Sequence, residues 1–187
     1  MNKTLLTTIA AVVSLSSMTL AHADPSVTAS NGQRGVINFS GAITDATCDT
    51  GIIVDGNTVN FVELPVITVA DFGTGASEST ETPVEFQIAP LDPTTCDAKT
   101  AALSLTGKAV SGFDDVLISN EITTTNVGIQ VKFADDSSLL NKGYTDAAGN
   151  FDATTKGVKL HANYFKTTEA ANPGLVTSVA NYQIAYL

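Results

Sequence analysis

Gly35-Val36-Ile37-Asn38-Phe39-Ser40-Gly41-Ala42-Ile43-Thr44-Asp45-Ala46-Thr47-Cys48 is the stretch on which the reading of this chain turns. Ile37, Phe39 and Ile43 fall on one parity, and Asn38, Ser40 and Thr44 on the other. Successive side chains of a β-strand point to opposite faces, so this spacing predicts a strand with one buried face. The run ends in Cys48, one of only two cysteines. It therefore reads as the opening strand of a disulfide-stapled all-β domain.

Upstream, residues 1–23 stand apart from the fold. Asn2 and Lys3 give a short, weakly positive start, and Leu5 to Leu20 is apolar or small and carries no charge. Ala21-His22-Ala23 supplies the small-x-small pattern of a cleavage site, so a signal peptide is expected over 1–23, with the mature chain starting at Asp24. The apolar stretch falls short of the ~20 residues of a membrane-spanning helix, and no direct membrane insertion is expected. The formal charge is −10. Cleavage would remove Lys3 and no acid, taking −10 to −11. Such an acidic surface disfavours nucleic acid and anionic lipid as partners. In an exported chain, the pair Cys48 and Cys96 is expected to form a disulfide. On the loop-entropy picture, closing a loop of that length removes roughly 4 kcal/mol of freedom from the unfolded chain.

Downstream, short β-type runs alternate with turn chemistry. Ile52 to Val54 and Thr58 to Val62 flank Asp55-Gly56-Asn57, a hairpin signal, because Asp-Gly tolerates the positive φ of a tight turn. Val69 to Thr82, rich in Gly, Ser, Thr and Glu, reads as a surface loop. Val84 to Ile88, Ala102 to Thr106, Val127 to Phe133 and Val158 to Phe165 each alternate, with Leu160, Ala162 and Tyr164 sharing a face. After the Pro173-Gly174 turn, Val176 to Leu187 forms a last strand with Ala180, Tyr182, Ile184 and Tyr186 on one side. Seven or more short strands, with no long amphipathic helix, predict a single antiparallel β-sandwich.

Taken in order behind a signal peptide, several pieces resemble the pilin subunits of chaperone–usher fimbriae, in particular the type 1-like major subunits. They are Gly35 to Cys48, Phe86-Gln87-Ile88, Cys96, Leu105-Thr106-Gly107, Val127 to Val131, Leu160 to Tyr164, Pro173-Gly174 and Tyr182 to Tyr186. The resemblance covers essentially all of the mature chain. It implies an incomplete immunoglobulin-like sandwich that lacks its last strand, spanning residues 35–187, and a donor-strand arm over residues 24–36. It further implies a groove walled by Ala180, Tyr182, Ile184 and Tyr186, filled first by a periplasmic chaperone and then by the arm of the next subunit. The partners would be identical or related pilin subunits in a homopolymer, together with the chaperone and an outer-membrane usher. The location would be the cell-surface fimbrium, reached through the periplasm, in support of cell adhesion. An adhesive, minor or adaptor pilin binding a host glycan or protein is the alternative.

The arm has one parity suited to an apolar groove: Val27, Ala29, Asn31, Gln33, Gly35 and Ile37. The other parity would drive Arg34 inward. By resemblance, Gly35 sits where the groove is narrowest and Ile37 enters the adjoining pocket, with Gly32 as the alternative centre.

Catalytic chemistry lacks its parts, and no enzyme activity is expected. His161 is the only histidine outside the signal segment, and its parity in a predicted strand points it to solvent, opposite Leu160 and Tyr164. No G-x-S-x-G turn is present. Asp114-Asp115 and Asp135-Asp136 lie beside turns, where solvated acids are common. Asp146, Asn150 and Asp152 around Gly149 miss the spacing of a calcium loop and have no bidentate Glu following. No metal and no cofactor are expected. Asn38-Phe39-Ser40 spells a glycosylation triplet, but inside a first strand it carries little weight.

Overall fold

The computed structural model describes residues 41–43, 48–168 and 170–187, all within the unit Phe39–Leu187. The signal segment 1–23, the arm 24–36 and most of the Gly35–Cys48 run lie outside the described residues.

The opening element is the hairpin its sequence specifies. Strands β1 (Thr50–Val54) and β2 (Asn57–Val59) pair antiparallel with Val54 opposite Asn57. Asp55 and Gly56 alone make the turn, at φ of 49° and 77°. Positive φ at both central residues is the backbone of a type I′ turn, whose twist matches that of the strands it joins. β2 is shorter than its apolar run suggested, and pairing ends at Val59.

β1 then pairs with β4 (Val84–Pro90), β4 with β11 (Gly157–Lys166), β11 with β8 (Val127–Phe133), and β8 with β7 (Phe113–Leu117). β6 (Ala109–Val110) closes the far edge. Two short strands, β3 (Ser77–Glu78) and β10 (Phe151–Asp152), attach to β11. A smaller sheet has the order β12 (Ala180–Tyr186), β5 (Ala101–Gly107), β9 (Thr145–Asp146). Every pairing between these strands is antiparallel. The one α-helix among the described residues is a single turn, α1 (Ile122–Thr125), ended by Asn126 at φ 60°.

The two sheets face each other across one core. The large sheet contributes Ile88, Phe133, Val158 and Leu160, and the small sheet Leu103, Leu105 and Tyr186. Burying each such side chain is worth about 1.5–3 kcal/mol. Leu139 and Leu140, from the loop after β8, are buried in the same core. At Lys108 the chain leaves the small sheet for the large one, with β5 passing into β6. The Cys48–Cys96 disulfide forms, as expected of a lone cysteine pair in an exported chain, with Cα atoms 5.6 Å apart. It pins the segment entering β1 to the loop leaving β4.

Two local expectations change. Val69 to Thr82 is more than a surface loop: Ser77 and Glu78 pair with Lys166 and Phe165, and Ser79 is buried. Composition hid this because the pairing depends on a distant partner, with the Lys166 ammonium donating to the Gly73 carbonyl at 2.7 Å. Ile43, expected on a buried face, is 92% exposed, and Gly41–Ile43 carries no strand. Alternation buries a face only where a neighbouring strand supplies a ladder, and none of the described residues pairs with this tripeptide.

Candidate functional site

β12 lies at the edge of the small sheet, in register with β5 from Ala180 opposite Gly107 to Tyr186 opposite Ala101. Just beyond it, Leu187 and Thr100 exchange both backbone hydrogen bonds, at 2.9 and 3.0 Å. In an antiparallel ladder, bonded and non-bonded pairs alternate. Asn181, Gln183 and Ala185 therefore bond to β5, whereas Ala180, Tyr182 and Ile184 turn their N–H and C=O groups the other way. No strand among the described residues takes them up.

The same parity sets the side chains. Asn181 and Gln183 are exposed, while Ala180, Tyr182 and Ile184 face the core yet remain half-buried. Tyr186, further along, is only 2% exposed. Across from them, Phe86 of β4 and Ile52 of β1 are also half-buried on the inner face of the large sheet, as their cross-strand partners Leu160 and Ile88 show. The result is an apolar opening beside an unpaired strand edge. Such an edge is a template for one more strand.

One contact fixes its rim, and another caps the far side of β5. The Tyr182 hydroxyl lies 3.5 Å from Thr50 Oγ1, two residues from the disulfide at Cys48. At the other end of β5, the Asn141 side chain takes a strand's place. Its Oδ1 accepts from the Gly107 N–H at 3.1 Å, and its Nδ2 donates to the Gly107 carbonyl at 2.9 Å. Burial pushes the Tyr186 phenol far above its ordinary range, and the neighbouring Tyr182 adds to the shift. This tyrosine stays neutral, as its apolar setting demands.

Sequence reasoning found Ala180, Tyr182, Ile184 and Tyr186, and the structure brings them to one side of one strand. The donor-strand residues Val27, Ala29, Asn31, Gln33, Gly35 and Ile37 lie outside the described residues. It missed Thr50 and Asn141, since a lone Thr before a hairpin and an Asn in a turn give no signal of a distant partner. His161 departs from its expected place. It is on the outer face, as parity required, but its side chain is only 12% exposed and its Nε2 lies 3.3 Å from Asp136 Oδ1. Glu85 and Lys132 flank it on the adjoining strands, and long side chains cover the ring.

Asp146 and Asp152, weighed above for a calcium-like loop, serve local turns. Asp146 accepts from the Ala148 N–H at 2.9 Å. Asp152 accepts from the Lys159 ammonium and from the Thr154 and Thr155 N–H groups, which hold its carboxyl down at about 2. Among the described residues, no three His, Cys, Asp or Glu side chains are gathered as a metal site, and no helix is long and apolar enough to cross a membrane.

Comparison with known proteins agrees with this architecture. Residues 37–186 match the family model described as fimbrial protein. The chain is 29% identical over 191 residues to the type-1 fimbrial protein, A chain, of Escherichia coli, covering 98% of each. It is 28% identical to the major fimbrial subunit SMF-1 of Stenotrophomonas maltophilia, covering 84% of this chain and 95% of the relative. Among solved structures, the P pilus rod subunit PapA superposes with a TM-score of 0.54 at 19% identity, over 82% of this chain and all of that one. The shared fold is the immunoglobulin-like sandwich short of one strand, and with the family match running from Ile37 to Tyr186, the chain belongs to the fimbrial protein family of chaperone–usher pili.

Proposed function

We propose that this chain is a fimbrial building block that polymerises by donor-strand exchange, and so supports cell adhesion as part of a surface fibre. The open edge of β12 carries this reading. Ala180, Tyr182 and Ile184 present core-facing side chains and outward-facing backbone at once. Leaving three or four such side chains in water forfeits roughly 1.5–3 kcal/mol each. That sum rivals the roughly 5–15 kcal/mol that holds a typical domain together. A lone subunit is therefore marginal, and an added strand completes it.

Residues 1–23 act as the export signal, 24–36 as the arm, and 35–187 as the bead. The arm presents Val27, Ala29, Asn31, Gln33, Gly35 and Ile37 to a neighbour's opening. Before that, a periplasmic chaperone covers the same edge and hands the subunit to an outer-membrane usher. Replacing Ile37→Asp puts a charge where the arm must be apolar. Unboiled denaturing gels of wild-type fibres should show a ladder of multimers that collapses on heating. The variant should show monomer alone while still co-purifying with the chaperone. A normal ladder from the variant would overturn the register.

A further inference from the structure

Just before β12, Val176 to Val179 belongs to no strand, yet it keeps the strand's alternation. Val176 and Ser178 are half-buried; Thr177 and Val179 are exposed. The ladder with β5 stops here for a visible reason: β5 departs for the large sheet, and the Lys108 carbonyl is taken by the Ile118 N–H at 2.8 Å. Thr177 would lose its neighbour, but two residues ahead of α1 substitute for one. The Thr177 N–H donates to Glu121 Oε2 at 2.9 Å, and its hydroxyl donates to Oε1 at 3.0 Å. On the return side, the Asn120 N–H donates to the Thr177 carbonyl at 2.9 Å, and its Nδ2 donates to the Thr177 hydroxyl at 2.8 Å. The Ser178 hydroxyl donates to the Ile118 carbonyl at 2.9 Å. Thr177 thus directs its backbone to the side that Asn181 and Gln183 use, which leaves the Val176 and Ser178 backbone on the open side.

We infer that the acceptor edge continues past β12 to Val176, splinted by Glu121 and Asn120, and receives the full length of a second copy's arm. On the strand-exchange reading above, which this extends, the occupant is Val27–Ile37. That segment has eleven residues, as does Val176–Tyr186, whereas β12 has seven. At about 3.3 Å per residue, both eleven-residue segments span roughly 36 Å. An edge ending at Ala180 would leave the last four arm residues without a ladder. The only charge within Val27–Ile37 is the cation Arg34, in a chain whose formal net charge is −10. Glu121 is a positioning residue here: it holds the edge extended and does not itself occupy the apolar opening.

Amide hydrogen exchange on the full chain, as monomer and as assembled fibre, tests this directly. The Val176 and Ser178 amides should exchange freely in the monomer. In the fibre they should slow at least ~10-fold, together with those of Tyr182 and Ile184. If Tyr182 and Ile184 slow while Val176 and Ser178 do not, the edge ends at Ala180 and the extension is wrong. If none slows, the strand-exchange reading itself fails. Glu121→Ala should remove fibre protection at Val176 and Ser178 alone, and Glu121→Gln, which keeps an acceptor for the Thr177 N–H, should restore most of it. Equal protection in Glu121→Ala and wild type would refute the splint.

Discussion

Gly128 sits in β8 between β7 and β11, opposite Phe165. A Cβ built there would lie 2.6 Å from both the Leu117 carbonyl oxygen and Val116 Cγ1. Backbone cannot yield as a flexible side chain can, so Gly128→Ala must pry β7 from β8. Overpacking of this kind costs about 1–3 kcal/mol. The thermal midpoint of the full chain should fall by about 3–10 °C; an unchanged midpoint would mean that the strands separate freely. Nothing in Val127-Gly128-Ile129 announced the clash, because the crowding atoms lie some ten residues upstream. His161 teaches the same lesson. Its parity was legible, and it does lie on the outer face, but the cover from Asp136, Glu85 and Lys132 depends on which strands flank β11.

β12 is the element on which the proposed strand exchange depends. Its alternation, Ala180, Tyr182, Ile184 and Tyr186 against Asn181, Gln183 and Ala185, was readable because a strand's side-chain period is two. Removing Ala180 to Leu187 takes away one wall of the opening, together with the strand that covers Leu103 and Leu105. On the strand-exchange reading, the chaperone then has no edge to pair with. Co-expression of the shortened chain with its periplasmic chaperone should yield no stable complex, and recovery of a complex at wild-type yield would show that capture uses another surface. The β1–β2 hairpin was equally legible, since Asp55-Gly56 sets its own geometry. β3 was not, for a two-residue strand takes its identity from Lys166 and Phe165 rather than from its own composition.

Among the described residues the sandwich has one unpaired edge at β12, and on the strand-exchange reading the free subunit has little stability to spare. Cys48–Cys96 joins the entrance of β1 to the exit of β4 and sits close to the Thr50–Tyr182 contact. Its removal returns roughly 4 kcal/mol of freedom to the unfolded chain, a large part of a domain's usual 5–15 kcal/mol. The double variant Cys48→Ser, Cys96→Ser should lose its β-sheet circular dichroism as a free subunit at temperatures where the oxidised chain stays folded. On the strand-exchange reading, reducing pre-formed fibres should have a much smaller effect, because an added strand would supply the missing burial. Equal denaturation midpoints for the oxidised and cysteine-free subunits would contradict this.

Local chemistry was enough to establish an all-β chain, the pairing of its two cysteines, the hairpin at Asp55-Gly56, and the inward set on the last strand. Each rests on a period, a turn or a count that a short segment carries within itself. Which strand lies at an edge is a different kind of fact. β12 is open because β5 takes one of its sides and no described strand takes the other. Beyond the end of the β5 ladder, the Thr177 backbone is bonded instead by Glu121 and Asn120, more than fifty residues away in the chain. Alternation is local and survives in the sequence, whereas the presence or absence of a hydrogen-bonding neighbour is set only when distant segments meet.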